Sequence, residues 1–519
     1  MISQVREKID AGAFGRWPLE VGGPTPPDIM RKTHRPLTTL ALATSLFMAA
    51  LEVTVVSTAM PTVVGELGGI QSYAWVFTAY MLASTITVPI YGKLADLYGR
   101  KPVLLFGIGL FLVGSVASGL ATSMGVLIAF RTLQGLGAGA IQPVALTIVG
   151  DLYTMRERAR VQGAFSAVWG VAGLVGPVTG GLIVKYLSWH WIFFINVPVG
   201  VLTFALVVAF FHEQVERKPQ QLDYAGAALL CAGVVALLVG VQGVGMNLWA
   251  LPVALGLLWA FVAVERRAPA PVIPMSIFQS PAIAISSVAG ALFSAAMFGA
   301  TTYVPLYVQA VLGSTPTVAG GMITPMIVGW PLASLFAGKL LLRTGFRPLI
   351  VGGLGLTMVG TVLMALLLGQ NAPLWALQGA MALFGVGLGF ASTALLIAVQ
   401  TSVGWELRGV ATASNMFFRT IGGVLGVGLM GGVMVSQLMK DPTVPLSAAN
   451  ALLGPERGHA AIPEAMLKSL SGALTTGLNI NFWLICAFSV AAFVSGLFFP
   501  RVSRDANAPI ASDSAAAPH

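Results

Sequence analysis

The chain has 519 residues, 56% of them hydrophobic and only 9% charged, with a net charge of +9. Soluble domains carry roughly 25% charged residues, so a water-soluble fold cannot hide this much apolar surface and the solvent must be largely lipid. The two cysteines, Cys231 and Cys486, lie inside apolar runs and imply neither a disulfide framework nor a metal centre.

In chain order, residues 1–36 are polar and broken by Pro24, Pro26 and Pro27. No cleavable signal is visible there. The segment reads as a cytoplasmic tail, either disordered or forming a short interfacial helix through Ile2, Val5, Ile9 and Phe14, with Met30 as an alternative start. A helix needs about 20 apolar residues to cross the hydrocarbon core. Runs of that kind fall at 37–60, 73–94, 102–121, 124–150, 158–185, 189–211, 223–245, 248–264, 281–311, 317–342, 346–369, 373–401, 409–438 and 477–499. They predict an all-α membrane protein of about fourteen spans, both termini on one side. With the N-terminus placed in the cytoplasm, 22 of the 28 Lys and Arg fall in inside segments and only Lys185, Lys440, Arg457 and Lys468 outside. The basic excess is therefore a topology signal for a plasma (inner) membrane protein. It leaves nucleic acid without support as a partner. Arg131 and Arg419 fall within spans.

An internal repeat runs through the pattern. Gly92-Lys93-Leu94, Gly99 and Lys101-Pro102 are answered 246 residues later by Gly338-Lys339-Leu340, Gly345 and Arg347-Pro348. Gly135, Gly137 and Gly139 are answered 250 residues later by Gly385, Gly387 and Gly389. Two parallel halves are a transporter architecture with its site near the midplane. The expected division is a tail (1–36), a six-helix half (37–212), an extra helix pair (213–270), a second six-helix half (271–500) with an outside loop at 440–476, and a tail (501–519).

Gly92-Lys93-Leu94-Ala95-Asp96-Leu97-Tyr98-Gly99-Arg100-Lys101 resembles the loop 2–3 motif of the major facilitator superfamily. Arg131 with Gln134-Gly135 and Gly139 is similar to its fourth-helix motif. Gly170 with Gly176-Pro177-Val178-Thr179-Gly180-Gly181 is similar to its antiporter motif. Leu51-Glu52-Val53-Thr54 before Pro61, and Trp189-His190-Trp191-Ile192-Phe193 before Asn196-Val197-Pro198, resemble motifs of the fourteen-helix drug:proton antiporters. Members usually have Asp at the position of Glu52 and often Arg at that of His190. The resemblance covers roughly residues 37–500. It implies two pseudo-symmetric six-helix halves plus two extra helices, and export of drugs or other small amphiphilic solutes against protons, by a monomer without cofactor.

No P-loop, H-E-x-x-H, paired C-x-x-C or G-x-S-x-G is present, so ATP-driven pumping and an enzyme have no support. Glu52 lies about 15 residues, or ~22 Å, into its helix. An ionisable group at that depth usually faces a cavity and marks an ion pathway, and a carboxyl withdrawn from water exchanges protons nearer neutral pH. The alternative is a static pair with Arg131, whose charge is permanent. Arg419 is either cavity-facing or near the inner interface. The motif Gly170, Gly176, Pro177, Gly180 and Gly181 provides close helix packing, and by resemblance antiport. Gly92, Asp96, Gly99, Arg100 and Lys101 form either a solvated charge cluster or, by resemblance, a gate latch. Leu342 stands at the second repeat's equivalent of Asp96. Tyr80, Trp169 and Tyr307, with Gln142 and Asn415, are candidate cavity contacts, since an apolar wall with scattered polar groups suits amphiphilic ligands. The rival readings are a proton symporter for a small nutrient and a non-transporting membrane receptor.

Overall fold

The computed structural model describes residues 33–153, 155–213, 223–242, 249–268, 271, 273, 275–368, 373–403, 408–440 and 464–500. Its helices are α1 (Arg35–Leu67), α2 (Tyr73–Tyr98), α3 (Arg100–Gly119), α4 (Met124–Leu152), α5 (Met155–Tyr186), the single turn α6 (Trp191–Phe194) and α7 (Asn196–Phe210). The shorter α8 (Tyr224–Gln242) and α9 (Ala250–Glu265) follow. Then come α10 (Pro281–Ala310), α11 (Pro316–Thr344), α12 (Phe346–Leu368), α13 (Leu374–Thr401), α14 (Arg408–Leu438) and α15 (Glu464–Leu497). Eleven helical stretches among the described residues are long and apolar enough to cross a membrane. The three remaining expected spans fall on α2, α8 and α9. The sixth predicted span is broken at Ile195 into α6 and α7, and the last one starts earlier than hydropathy indicated, at Glu464.

Helix starts follow local chemistry. Pro stands in the first turn of α1, α10 and α11, where no intrahelical N–H is lost. Ser123 and Thr315 cap α4 and α11 by accepting from the N–H three residues on. Gly99 has φ +96°, a conformation glycine adopts at little cost, and it alone separates α2 from α3. This corrects one expectation: Asp96 lies in the last turn of α2 rather than in a loop, because that single glycine makes the whole turn.

The sequence repeat is a repeat of packing. A Cβ on Gly137 would strike the backbone of Gly107 and Phe111 on α3, and one on Gly387 would strike that of Gly353 and Thr357 on α12. Gly135 and Gly139 press α4 onto Tyr80 and Ser84 of α2, as Gly385 and Gly389 press α13 onto Met326 and Trp330 of α11. In each case the glycines are 250 residues apart and their partners 246. Small residues at identical places let backbones touch where lipid offers no hydrophobic drive to pack. The architecture is thus two pseudo-symmetric six-helix halves with an added pair, α8 packing on α9 and against α14.

The halves meet along α5 with α11 and α2 with α14. They close tightly at the end where α1 finishes, hereafter the distal end, which the charges predict to be outside. There Tyr73 donates its hydroxyl to Thr302 O (2.8 Å) and Gln309 donates to Thr58 O (3.0 Å).

Candidate functional site

Five helices, α1, α2, α3, α4 and α7, bring one polar cluster together inside the N-terminal half. Glu52 on α1 and Arg131 on α4 are each 1% exposed. Arg131 Nη1 donates to Glu52 Oε1, and Asn196 Nδ2, at the first position of α7, donates to Glu52 Oε2. Both carboxylate oxygens are therefore occupied. Arg131 also donates through Nη1 to Gln134 Oε1 (2.7 Å) and through Nε to Val76 O (3.3 Å). Ser115 on α3 closes the network: its hydroxyl accepts from Gln134 Nε2 (3.2 Å) and Asn196 Nδ2 (3.0 Å) and donates to Phe193 O (2.9 Å). The break at Ile195 lets Asn196 turn in and keeps Phe193 O available. A buried pair is tolerable only when further hydrogen bonds satisfy both ions, as they do here.

Glu52 is thus enclosed by its own half rather than facing an open cavity, and the static-pair geometry is realised in this conformation. Tyr80 belongs to the same cluster: its ring lies 4.2 Å from the Arg131 guanidinium carbon. Asn196, Gln134 and Ser115 were not singled out from sequence. Asn196 and Gln134 stood in motifs that were noticed, whereas Ser115 carries no signal of its own.

The other expected residues are placed elsewhere. Tyr307 donates its hydroxyl to Leu368 O (2.6 Å) and packs edge-on against Phe482, so both its ends are used inside the C-terminal half. Gln142 is part-exposed on α4, and Asn415 is buried, donating to Ser287 Oγ (3.4 Å). Trp169 is the informative aromatic. Val171, Leu174, Val175, Val178 and Leu182 make the outward stripe of α5. At ~100° per residue Trp169 lies about 160° from the centre of that stripe, on the face turned to α1 and α11. It is nonetheless 40% exposed, so space opens between the halves beside it.

The glycine-proline motif forms the seam at the distal side of that opening. Gly176 and Gly180 bear on Thr54 and Val55 of α1; Gly170, Gly173 and Gly181 bear on Pro331, Ile327 and Thr317 of α11. Thr54, two residues from Glu52, sits at the α1–α5 contact against Gly176, its single hydroxyl proton shared between Leu51 O of its own helix (3.0 Å) and Ala172 O of α5 (3.3 Å). Pro177 lies within the continuous helix and touches Gly320 across the seam.

At the proximal end the charge cluster differs from expectation. The α3 N-terminus and Arg100 are held by Glu213 and Asp151, residues that sequence reasoning did not connect with the loop motif. Glu213 Oε2 accepts from the N–H groups of Arg100 (2.7 Å) and Lys101 (2.9 Å), and Arg100 lies 2.6 Å from Asp151. Lys101 Nζ donates to Val208 O and Phe211 O. The Asp96 side chain lies outside the described residues, and nothing crowds Gly92. Glu213→Ala removes the acceptor for two helix N–H groups and is expected to cost about 1–2 kcal/mol. A melting curve of the purified protein checks this; an unchanged midpoint contradicts the capping role.

The chain matches the Major Facilitator Superfamily over residues 42–427. It belongs to that superfamily. It is 37% identical over 426 residues to Multidrug transporter protein MdtP of Bacillus subtilis, covering 80% of this chain and 79% of the relative. It is 33% identical over 484 residues to Multidrug resistance protein 3 of the same organism, covering 89% and 94%. Among solved structures, a bacterial homolog of the human lysosomal transporter Spinster superposes with TM-score 0.63 at 14% identity, covering 89% of this chain and 97% of that one. A D-xylose-proton symporter superposes with TM-score 0.60 at 13% identity, covering 90% and 98%. These two carry the fold alone. As a major facilitator the chain is a multi-pass membrane transporter of small molecules, a class distinct from enzymes.

Proposed function

We propose that the chain exports drugs or other small amphiphilic solutes in exchange for protons, by alternating access between its two halves. The observation that carries this reading is the sealed Glu52–Arg131 pair joined to the α1–α5 seam through Thr54. A proton on Glu52 abolishes its charge and with it most of the attraction that holds α1 to α4. Because α1 also packs on the motif face of α5, the release reaches the α5–α11 contact where the halves close. The names of the relatives, multidrug transporter and multidrug resistance protein, favour drug-like solutes and export.

In the topology that the charges predict, with both termini cytoplasmic in the plasma membrane, the opening beside Trp169 admits solute from inside. The proton enters from outside in the alternate state. One charge crossing ~150 mV releases about 3.5 kcal/mol, enough for a few hundredfold gradient of a neutral solute. The remaining parts of the reading are a monomer working without cofactor, with Asp96 as a latch at the end of α2.

The test uses purified protein in liposomes with an imposed pH gradient and a panel of fluorescent dyes. The expected result is dye accumulation on the acidic side at least several-fold above equilibrium, collapsing when an ionophore dissipates the gradient. Equilibration unaffected by the gradient removes proton coupling. Dye movement in the same direction as protons replaces antiport with symport.

A further inference from the structure

We propose that the C-terminal half carries an anion-binding site built on Arg419, and that the transported solutes include amphiphiles bearing a carboxylate or similar anionic group. The assignment rests on the transport reading for its biological meaning, while the site itself is a binding claim.

Arg419 lies 11 residues into α14, about 16 Å from the helix start and inside its apolar span. Its side chain stem runs across Gly290 of α10, where a Cβ would lie 2.8 Å from Arg419 Cγ. The guanidinium ends over the Phe293 ring, 4.9 Å from its centroid. Among the described residues it makes no hydrogen bond or ion pair. Its five N–H donors thus have no protein partner among the described residues. An aromatic face offers a cation only about 0.5–2 kcal/mol, far less than a charge at membrane depth forgoes.

A second observation lies on the same helix stripe. Ser286, one turn before Gly290, is fully buried, and its hydroxyl has no partner among the described residues. Asn415, one turn before Arg419, is buried beside Gly290 and donates to Ser287 Oγ at 3.4 Å. The Asn415 amide and the Arg419 stem thus both lie against Gly290, with the Ser286 hydroxyl one turn away on the same helix. Arg419 itself is part-exposed although it sits on the face of α14 that packs on α10, and α14 also packs on α2 of the other half.

The two halves differ in how they treat an intramembrane arginine. In the N-terminal half Glu52 neutralises Arg131. Among the described residues of the C-terminal half none supplies a counter-ion to Arg419. With the first pair neutral, the net charge that the described spans present at that depth is positive. A carboxylate matches an arginine fork in a bidentate manner, whereas a cationic solute meets an unscreened like charge.

The experiment measures equilibrium binding of dansylglycine and of its uncharged methyl ester to the full-length protein in lipid nanodiscs. It reads dansyl fluorescence with no pH gradient present. The wild type is expected to prefer the acid over the ester by about tenfold or more. Arg419→Gln should weaken the acid about tenfold and leave the ester within about twofold. Arg419→Lys, which keeps the charge without the fork, should fall between them. Ester binding reports whether each variant is folded. If Arg419→Gln does not fold, the acid-versus-ester comparison on the wild type decides alone. Equal binding of acid and ester by the wild type, or an unchanged acid affinity in Arg419→Gln, overturns the proposal. So does loss of the preference in chloride but not in gluconate, which assigns the site to an inorganic anion. Failure of proton-driven dye movement in liposomes, with the binding preference intact, counts against the antiport mechanism and leaves this site standing.

Discussion

Glu52→Gln is expected to abolish proton-driven transport, a fall of at least a hundredfold in the gradient-dependent rate, while the protein still inserts and folds. The amide keeps one acceptor for Arg131 but offers a donor where Asn196 already donates. Asn196 can answer by rotating its amide, since its Oδ1 has no partner, but its hydrogen bond to Ser115 is then lost. The variant therefore stays near the protonated arrangement, with Arg131 short of a counter-charge. Removing one partner of a buried pair costs about 3–5 kcal/mol, and the retained amide should recover part of that. Solute binding survives and uphill movement does not. Glu52→Asp keeps the charge on a shorter stem that reaches Arg131 or Asn196 but not both, so partial activity is expected. Gradient-driven dye flux in liposomes, compared with equilibrium binding on the same preparation, decides the matter. A normal uphill rate in Glu52→Gln ends the proposed role of this residue.

Gly181→Val should act at a distance from the polar cluster and still reduce transport more than tenfold. A Cβ at Gly181 would sit 2.7 Å from Thr317 Cα and 2.9 Å from Thr317 N, backbone atoms of α11 that no rotamer change can move. Overpacking a close seam costs roughly 1–3 kcal/mol, and here the strain is relieved by parting α5 from α11 at the distal end. A single cysteine placed at Ile323, buried in the present closed arrangement, should become reactive to an impermeant thiol reagent in this background. Native Cys231 and Cys486 would be replaced by Ala first. Gly125→Ala is the control, because nothing lies within 4 Å of its Cβ position. If Gly181→Val transports normally with Ile323 still shielded, the seam is not what closes the halves.

The helical spans and the repeat were legible because hydropathy reports burial in lipid directly, and because glycines needed for backbone contact leave a fixed spacing behind them. Glu52 and Arg131 were legible for a related reason: a charge in an apolar run is costly enough to stand out. Ser115 and Glu213 were not. A buried serine costs a helix little in any setting, and the cap in which Glu213 accepts from the N–H groups of residues 100 and 101 spans more than a hundred positions of chain. Aromatic residues misled in part because their side chains serve several ends. Tyr80 lies against a guanidinium, Tyr307 spends its hydroxyl on Leu368 O, and only Trp169 combines an inward face with exposure. Pattern alone does not separate these uses.

The distal closure has a consequence for the speed of the cycle. Tyr73 and Gln309 both fasten the halves by donating to main-chain carbonyls, those of Thr302 and Thr58. Each such bond contributes about 0.5–1.5 kcal/mol net, so the two together bias the closed population by roughly ten- to a hundredfold. That bias is small enough for thermal fluctuation to reverse. A carbonyl acceptor also survives any substitution at its own position that leaves the helix intact. Beside the packed α5–α11 seam, the hydrogen-bonded share of the closure among the described residues comes from the donors Tyr73 and Gln309. Tyr73→Phe and Gln309→Leu are therefore the changes that would speed outward opening with the least disturbance elsewhere.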